Sequence, residues 1–200
     1  CDALRVEGRR PFGQRREVVE PQHAHERIVE LLSVVPYVGV AQRRSAAGRV
    51  VIGRMRHEVR QREATRADIR DFFRELLERE EVDLSTQRHA CELTGALVID
   101  RARGLGFCGL SERCDEEGAR LMHEAFGLRA TLLFDLAPGE YHTNVVLAVL
   151  AGRAAVVCPR GFADPAVPAA IAGLYAPHAV ACDDAEHAAF VGNCIALSAG

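Results

Sequence analysis

The chain of 200 residues contains no lysine and no tryptophan, so all 25 of its basic residues are arginine. No unbroken apolar run approaches the ~20 residues that a bilayer crossing requires, and no basic-then-apolar leader opens the sequence. A formal net charge of −3 leaves no basic footprint for nucleic acid. None of the seven cysteines forms a CxxC pair, and the histidines show no metal-ligand spacing. These absences argue against nucleic-acid and membrane partners, a metal or other cofactor, and a disulfide framework. Cys91, Cys108, Cys114, Cys158 and Cys182 lie mostly in apolar surroundings, which suits buried thiols in a reducing, cytoplasmic compartment. A start at Cys1 would suit a mature lipoprotein as well as a fragment, and export has no other support.

Nearly half of the residues are apolar, enough for one domain with a sizeable core. The dominant feature is a repeat of roughly fifty residues, each unit reading strand, turn, strand, helix, strand. The first unit starts at 34–40, returns through Val50–Ile52, and continues into the helical pattern "ADIRDFFRELLERE", whose start Thr65 or Asp68 could cap. In the second, "GALVID" and "LGFCGL" form a hairpin. "SERCDEEGARLMHEAFG" then reads as a helix with an acidic start and Gly127 at its end, and "RATLLFDL" closes the unit. The third places its hairpin in "VVLAVL" and "AAVVCP", a short helix in "DPAVPAAIAGLY" with Asp164 as cap, and a strand in "HAVACD". "FVGNCIALSAG" begins a fourth, and "HAHERIVELLSVV" reads as the helix of an earlier one. The fold class is therefore α/β, with about three whole units between two partial ones. Residues 1–33 form a partial or poorly matched N-terminal unit, and 34–200 form one domain whose last unit is truncated. Open strand edges at an incomplete unit predict self-association.

Three ordered stretches carry a family resemblance over about residues 48–200. "CELTGALVIDR", "GFCGLSERCDEE" and "EYHTNVVLAV" resemble the "EGTGSLVLDR", "LSxRTxxE" and "YHTNV" motifs of the guanidino-group-modifying (pentein) superfamily, in its dimethylarginine dimethylaminohydrolase and arginine deiminase branch. The resemblance implies a pentein-type α/β-propeller with a central active site. It implies an amidine hydrolase acting on arginine or methylated arginine through a covalent cysteine intermediate. A guanidinium is resonance-stabilised, so attack needs a thiolate, a histidine acid/base and a carboxylate on the substrate N–H groups. Arginines suit the substrate carboxylate.

On the matching positions, His142 takes the acid/base role and Glu92 that of the substrate-holding carboxylate. Arg113 and, less securely, Arg60 take the role of binding the substrate carboxylate. Thr143 and Asn144 shape the pocket, with Asn144 on the substrate side. Arg60 sits among Arg54, Arg56 and Arg62, a run that equally suits a solvated face. Leu93 stands where the family carries glycine, and Cys114 where it carries threonine. Cys194 matches the start of the last unit and not the nucleophile, so residues 1–200 are predicted to be inactive, as a fragment or a degenerate gene. A non-catalytic binding protein on the same fold and an amidinotransferase are the alternatives.

Overall fold

A computed structural model describes residues 3–5 and 48–196. The expected elements at 34–40, the helix before Val34 and the turn before Gly48 lie outside these, as does the end of the fourth unit.

The described chain is a mixed α/β structure in three small sheets. In the first sheet β1 (Ala3–Arg5), β6 (Ala130–Asp135), β5 (Leu105–Leu110) and β4 (Leu97–Asp100) stand in that order. β4 and β5 are an antiparallel hairpin, while β5–β6 and β6–β1 pair in parallel. The second sheet pairs β2 (Arg49–Ile52) with β3 (Glu80–Asp83), also in parallel. The third repeats the first: β7 (Leu147–Leu150) and β8 (Ala154–Val157) form a hairpin, and β9 (Ala179–Ala181) adds in parallel. The mixed α/β class and the ββαβ unit hold; no closed barrel or propeller is formed by the described residues.

Local chemistry explains the second unit best. The inner strands β5 and β6 are buried along nearly their whole length, as parallel strands covered on both faces must be. The parallel pairing requires a crossover, supplied by helix α4 (Glu116–Phe126). Asp115 caps α4 by accepting the Gly118 N–H at 2.7 Å, Glu116 and Glu117 fill its first turn, and Gly127 ends it at φ 59°. That φ is left-handed and costs glycine little. Helix α6 (Ala166–Leu174) makes the corresponding crossover in the third unit, with Asp164 accepting the Ala166 N–H at 2.8 Å.

Elsewhere the elements differ from the expectation. "ADIRDFFRELLERE" is not one helix: α2 (Ala67–Asp71) passes into a π-turn at Phe72–Leu76, and Glu80 already belongs to β3. Neither Thr65 nor Asp68 caps it; the Thr65 hydroxyl donates to the Arg62 carbonyl and Asp68 pairs with Arg66. Ile69, Phe72 and Leu76 remain substantially exposed along this stretch. Helix α1 (Glu58–Ala64) precedes it on residues read only as a charge run. The strands expected from "GALVID" and "VVLAVL" begin later, because one helical turn stands before each: α3 (Leu93–Ala96) before β4 and α5 (Thr143–Val146) before β7. Thr143, Val145 and Val146 favour strand, yet all three are buried in this turn, so packing outweighs propensity. A last helix, α7 (Asp184–Ala188), carries a full capping box between Asp183 and Glu186.

Two apolar clusters fill the interior. One joins β5, β6 and the third unit through Phe107, Leu147, Ile171 and Tyr175; the other gathers β4, α4 and the cysteines 91, 108 and 114. No helix among the described residues is long and apolar enough to cross a membrane.

Candidate active site

Glu92 and His142 each stand immediately before one of the two helical turns, α3 and α5. The turns pack against one another, so two residues distant in sequence meet in the interior. His142 Nε2 lies 2.9 Å from Glu92 Oε2. Gly95 makes the contact possible: a Cβ there would come within 2.8 Å of the imidazole Cε1. The ring therefore lies directly against the α3 backbone.

The Glu92 side chain is nearly sealed, with 2% of its surface exposed. Burying a carboxylate this deeply is unfavourable unless each oxygen finds donors. Glu92 has three sources. The Arg56 backbone N–H donates to Oε1 at 2.8 Å, His142 to Oε2, and the Arg113 guanidinium to both oxygens at 3.3 Å. Burial raises the carboxyl pKa, but the Arg56 N–H, the His142 hydrogen bond and the Arg113 charge outweigh it, and the net shift is downward. Glu92 is thus ionised at neutral pH. An ionised carboxylate only accepts, so the proton shared with His142 sits on Nε2, leaving Nδ1 as the imidazole's other functional nitrogen.

Arg113 enters from the loop after β5. Its guanidinium also pairs with Glu112 at 3.1 Å and stands 5.8 Å from the Tyr141 ring centroid. Ser111 fixes the same corner: its hydroxyl donates to the Tyr141 carbonyl at 2.8 Å and accepts the Arg113 N–H at 3.1 Å. The Tyr141 and His142 rings lie 4.8 Å apart.

The structure thus brings His142, Glu92 and Arg113 together. Asn144, two residues after His142, is half-buried, and no hydrogen bond joins its side chain to the cluster among the described residues. Arg60 is elsewhere engaged: it lies half-exposed on α1 in an ion pair with Glu63. The Glu92 oxygens, expected to meet substrate N–H groups, are taken up by protein donors. Sequence reasoning missed the Arg56 backbone donor, which leaves no side-chain signature, and gave no role to Ser111 and Tyr141, which lie within the quoted motifs.

No described cysteine offers a thiolate to this cluster. Cys91 is fully buried beside Glu92, and burial raises its pKa. Cys108 and Cys114 face each other at 3.6 Å, and their mutual contact and burial push the Cys114 thiol far up. Burial and the neighbouring Cys182 raise Cys158 to about 12, and burial raises Cys194. Among the described residues no group of three or more histidine, cysteine or acidic side chains is placed to hold a metal ion.

The N-terminal domain of ArgZ bound to substrate, an arginine dihydrolase from the ornithine-ammonia cycle in cyanobacteria, aligns with a TM-score of 0.63 at 18% identity. The alignment covers 90% of this chain and 69% of that one. AgrE in ternary complex with ornithine and NAD+ aligns at 0.59 and 20% identity, over 88% of this chain and 27% of that one. A dimethylarginine dimethylaminohydrolase adduct with S-methyl-L-thiocitrulline aligns at 0.51 and 15% identity, over 89% of this chain and 69% of that one. At such identities the likeness is one of fold. The chain spans little more than a quarter of the AgrE chain. Comparison with curated protein sequences gives no match. The family described as eukaryotic N,N dimethylarginine dimethylhydrolase matches residues 41–199. With most of its length matched and its fold shared by pentein-type hydrolases, the chain belongs to the dimethylarginine dimethylhydrolase family.

Proposed function

We propose that the chain carries the histidine–carboxylate part of an amidine hydrolase site for arginine or a methylated arginine. The contact between Glu92 and His142, with Arg113 on the same carboxylate, supports this reading most strongly. His142 is the acid/base: with Nε2–H held by Glu92, Nδ1 exchanges a proton with the departing amine and then with water. Glu92 orients this imidazole by accepting from Nε2 at 2.9 Å. Arg113 stands at the rim, and its fork suits the carboxylate of an amino-acid substrate. Asn144 is a further polar group on the substrate side. Water as acceptor, rather than an amine, is favoured by the hydrolase activities named for the fold relatives.

Attack on a guanidinium carbon needs a thiolate, and the described cysteines are buried or held protonated. On this reading the described residues supply no nucleophile, and the chain is expected to bind its substrate without turning it over. A citrulline-release assay with arginine and NG-methylated arginines tests this. No citrulline above background is expected. Robust release that survives Cys194→Ala would overturn the inactivity, and release abolished by that change would make Cys194 the nucleophile.

A further inference from the structure

We infer that the Thr143 hydroxyl is the positioning group that sets the Glu92–His142 contact, resting on the reading of that pair as the functional site. Thr143 follows His142 directly and has no exposed surface. Its Oγ1 donates to the Ala96 carbonyl and accepts the Gly109 N–H at 2.7 Å. Ala96 ends the helical turn that begins beside Glu92, and Gly109 lies in β5. One hydroxyl thereby ties the backbone of His142 to the turn that carries its acidic partner and to the strand leading to Arg113. The imidazole is then seated against Gly95. The backbone is held at one point and the ring at another, which leaves His142 little freedom to leave Glu92.

The equivalent residue in the preceding repeat is Leu93, which has no hydroxyl, so the tie is not a requirement of the repeat itself. A hydroxyl of this kind both gives and accepts; valine has its shape and neither capacity. Thr143→Val would leave the Ala96 carbonyl and the Gly109 N–H unpaired in the interior and would free the α5 turn from α3. Small displacements of a reacting group are costly: about 1 Å can reduce rate or productive binding on the order of a hundredfold.

The test follows the His142 Nε2–H proton by NMR in the intact 200-residue chain, beside arginine affinity by calorimetry. In wild type the proton resonance is protected by Glu92 and observable. Thr143→Val should remain folded, lose that resonance and weaken arginine binding at least tenfold, a factor of order that follows from misplacement. Thr143→Ser should retain both. If the valine variant fails to fold, Thr143→Cys, with a similar shape and a weaker hydrogen-bonding group, should fold and still lose the resonance. A folded valine or cysteine variant with an unchanged Nε2–H signal would overturn the positioning role. So would a folded serine variant that loses it. Loss of the signal in a protein that binds no arginine even as wild type would support the positioning role and overturn the functional reading.

Discussion

Glu92 and His142 occupy one structural place in two successive repeats, and their side chains meet at 2.9 Å across a separation of 50 residues. Each precedes a four-residue helical turn, Leu93–Ala96 or Thr143–Val146, and each turn leads into the first strand of a hairpin. The repeat period itself therefore delivers an acid from one unit to the imidazole of the next.

Gly95 leaves room for the imidazole. A methyl group there would lie 2.8 Å from His142 Cε1, closer than real Cβ contacts allow. The imidazole side chain yields more readily than the α3 backbone, so Gly95→Ala should force His142 away from Glu92 while the fold stays intact. Arginine affinity should fall about tenfold or more, with a small change in melting temperature. Calorimetry beside thermal unfolding checks both.

The lowered pKa of Glu92 makes a signed prediction. A carboxyl whose folded value lies below its ordinary 4.5 stabilises the protein above that value. This contribution fades as the pH falls through the lower folded value. Glu92→Gln should be less stable than wild type at neutral pH, and the gap should close as the pH falls below the ordinary 4.5 and through the lower folded value. Urea unfolding at a series of pH values measures it. A gap that widens in acid would contradict the assignment.

Leu93 adopts φ 43°, in the left-handed region that a branched side chain enters at a cost of about 1–2 kcal/mol. The family places glycine here. Its side chain packs against Gly53, where a Cβ would lie 2.6 Å from Leu93 Cγ. Relief of strain and loss of packing oppose each other, so Leu93→Gly should change unfolding free energy by less than about 1 kcal/mol, compared with the ~2–5 kcal/mol of a typical core leucine truncation. A loss above ~3 kcal/mol in urea unfolding would show that packing dominates.

Asp100 is fully buried and links the second and third units. It accepts from Tyr175 Oη at 2.7 Å and from Arg103 at 3.0 Å, and Arg103 also stacks over the Tyr175 ring. Tyr175→Phe leaves a buried carboxylate one donor short, and should cost about 1.5–3 kcal/mol, the range for hydrogen bonds to charged groups. Burial and the Asp100 carboxylate push the Tyr175 phenol well above its usual range. Its contribution is complete below about pH 10 and declines above it, so wild type and variant should converge at strongly alkaline pH.

What the sequence made legible was local. Gly127 marks the end of α4 by a capping rule that needs no tertiary information, and the apolar runs of β5 and β6 read as strands, whereas the start of α4 at Glu116, later than the Ser111 of the sequence pattern, was not legible. The motifs singled out Glu92, His142 and Arg113, and the structure brings these three side chains together. The helical turns that aim two of them were not legible, because Thr143, Val145 and Val146 read as strand until the packing of α5 against α3 is known. Nor was the Arg56 backbone N–H that satisfies Glu92, since a backbone donor looks alike at every position. Arg60, in a suggestive basic run, pairs with Glu63 on an exposed helix and lies within electrostatic reach of Glu92.

Calorimetric titration of the 200-residue chain with arginine, in wild type, Glu92→Gln and Arg60→Ala, bears most directly on the central claim that the Glu92–His142 pair with Arg113 forms a guanidino-binding site. The account predicts measurable binding in wild type, a loss of about tenfold or more with Glu92→Gln, as His142 and Arg113 lose the buried carboxylate that holds both, and little change with Arg60→Ala. Binding that is indifferent to Glu92→Gln, or no binding in a folded wild-type protein, would contradict it.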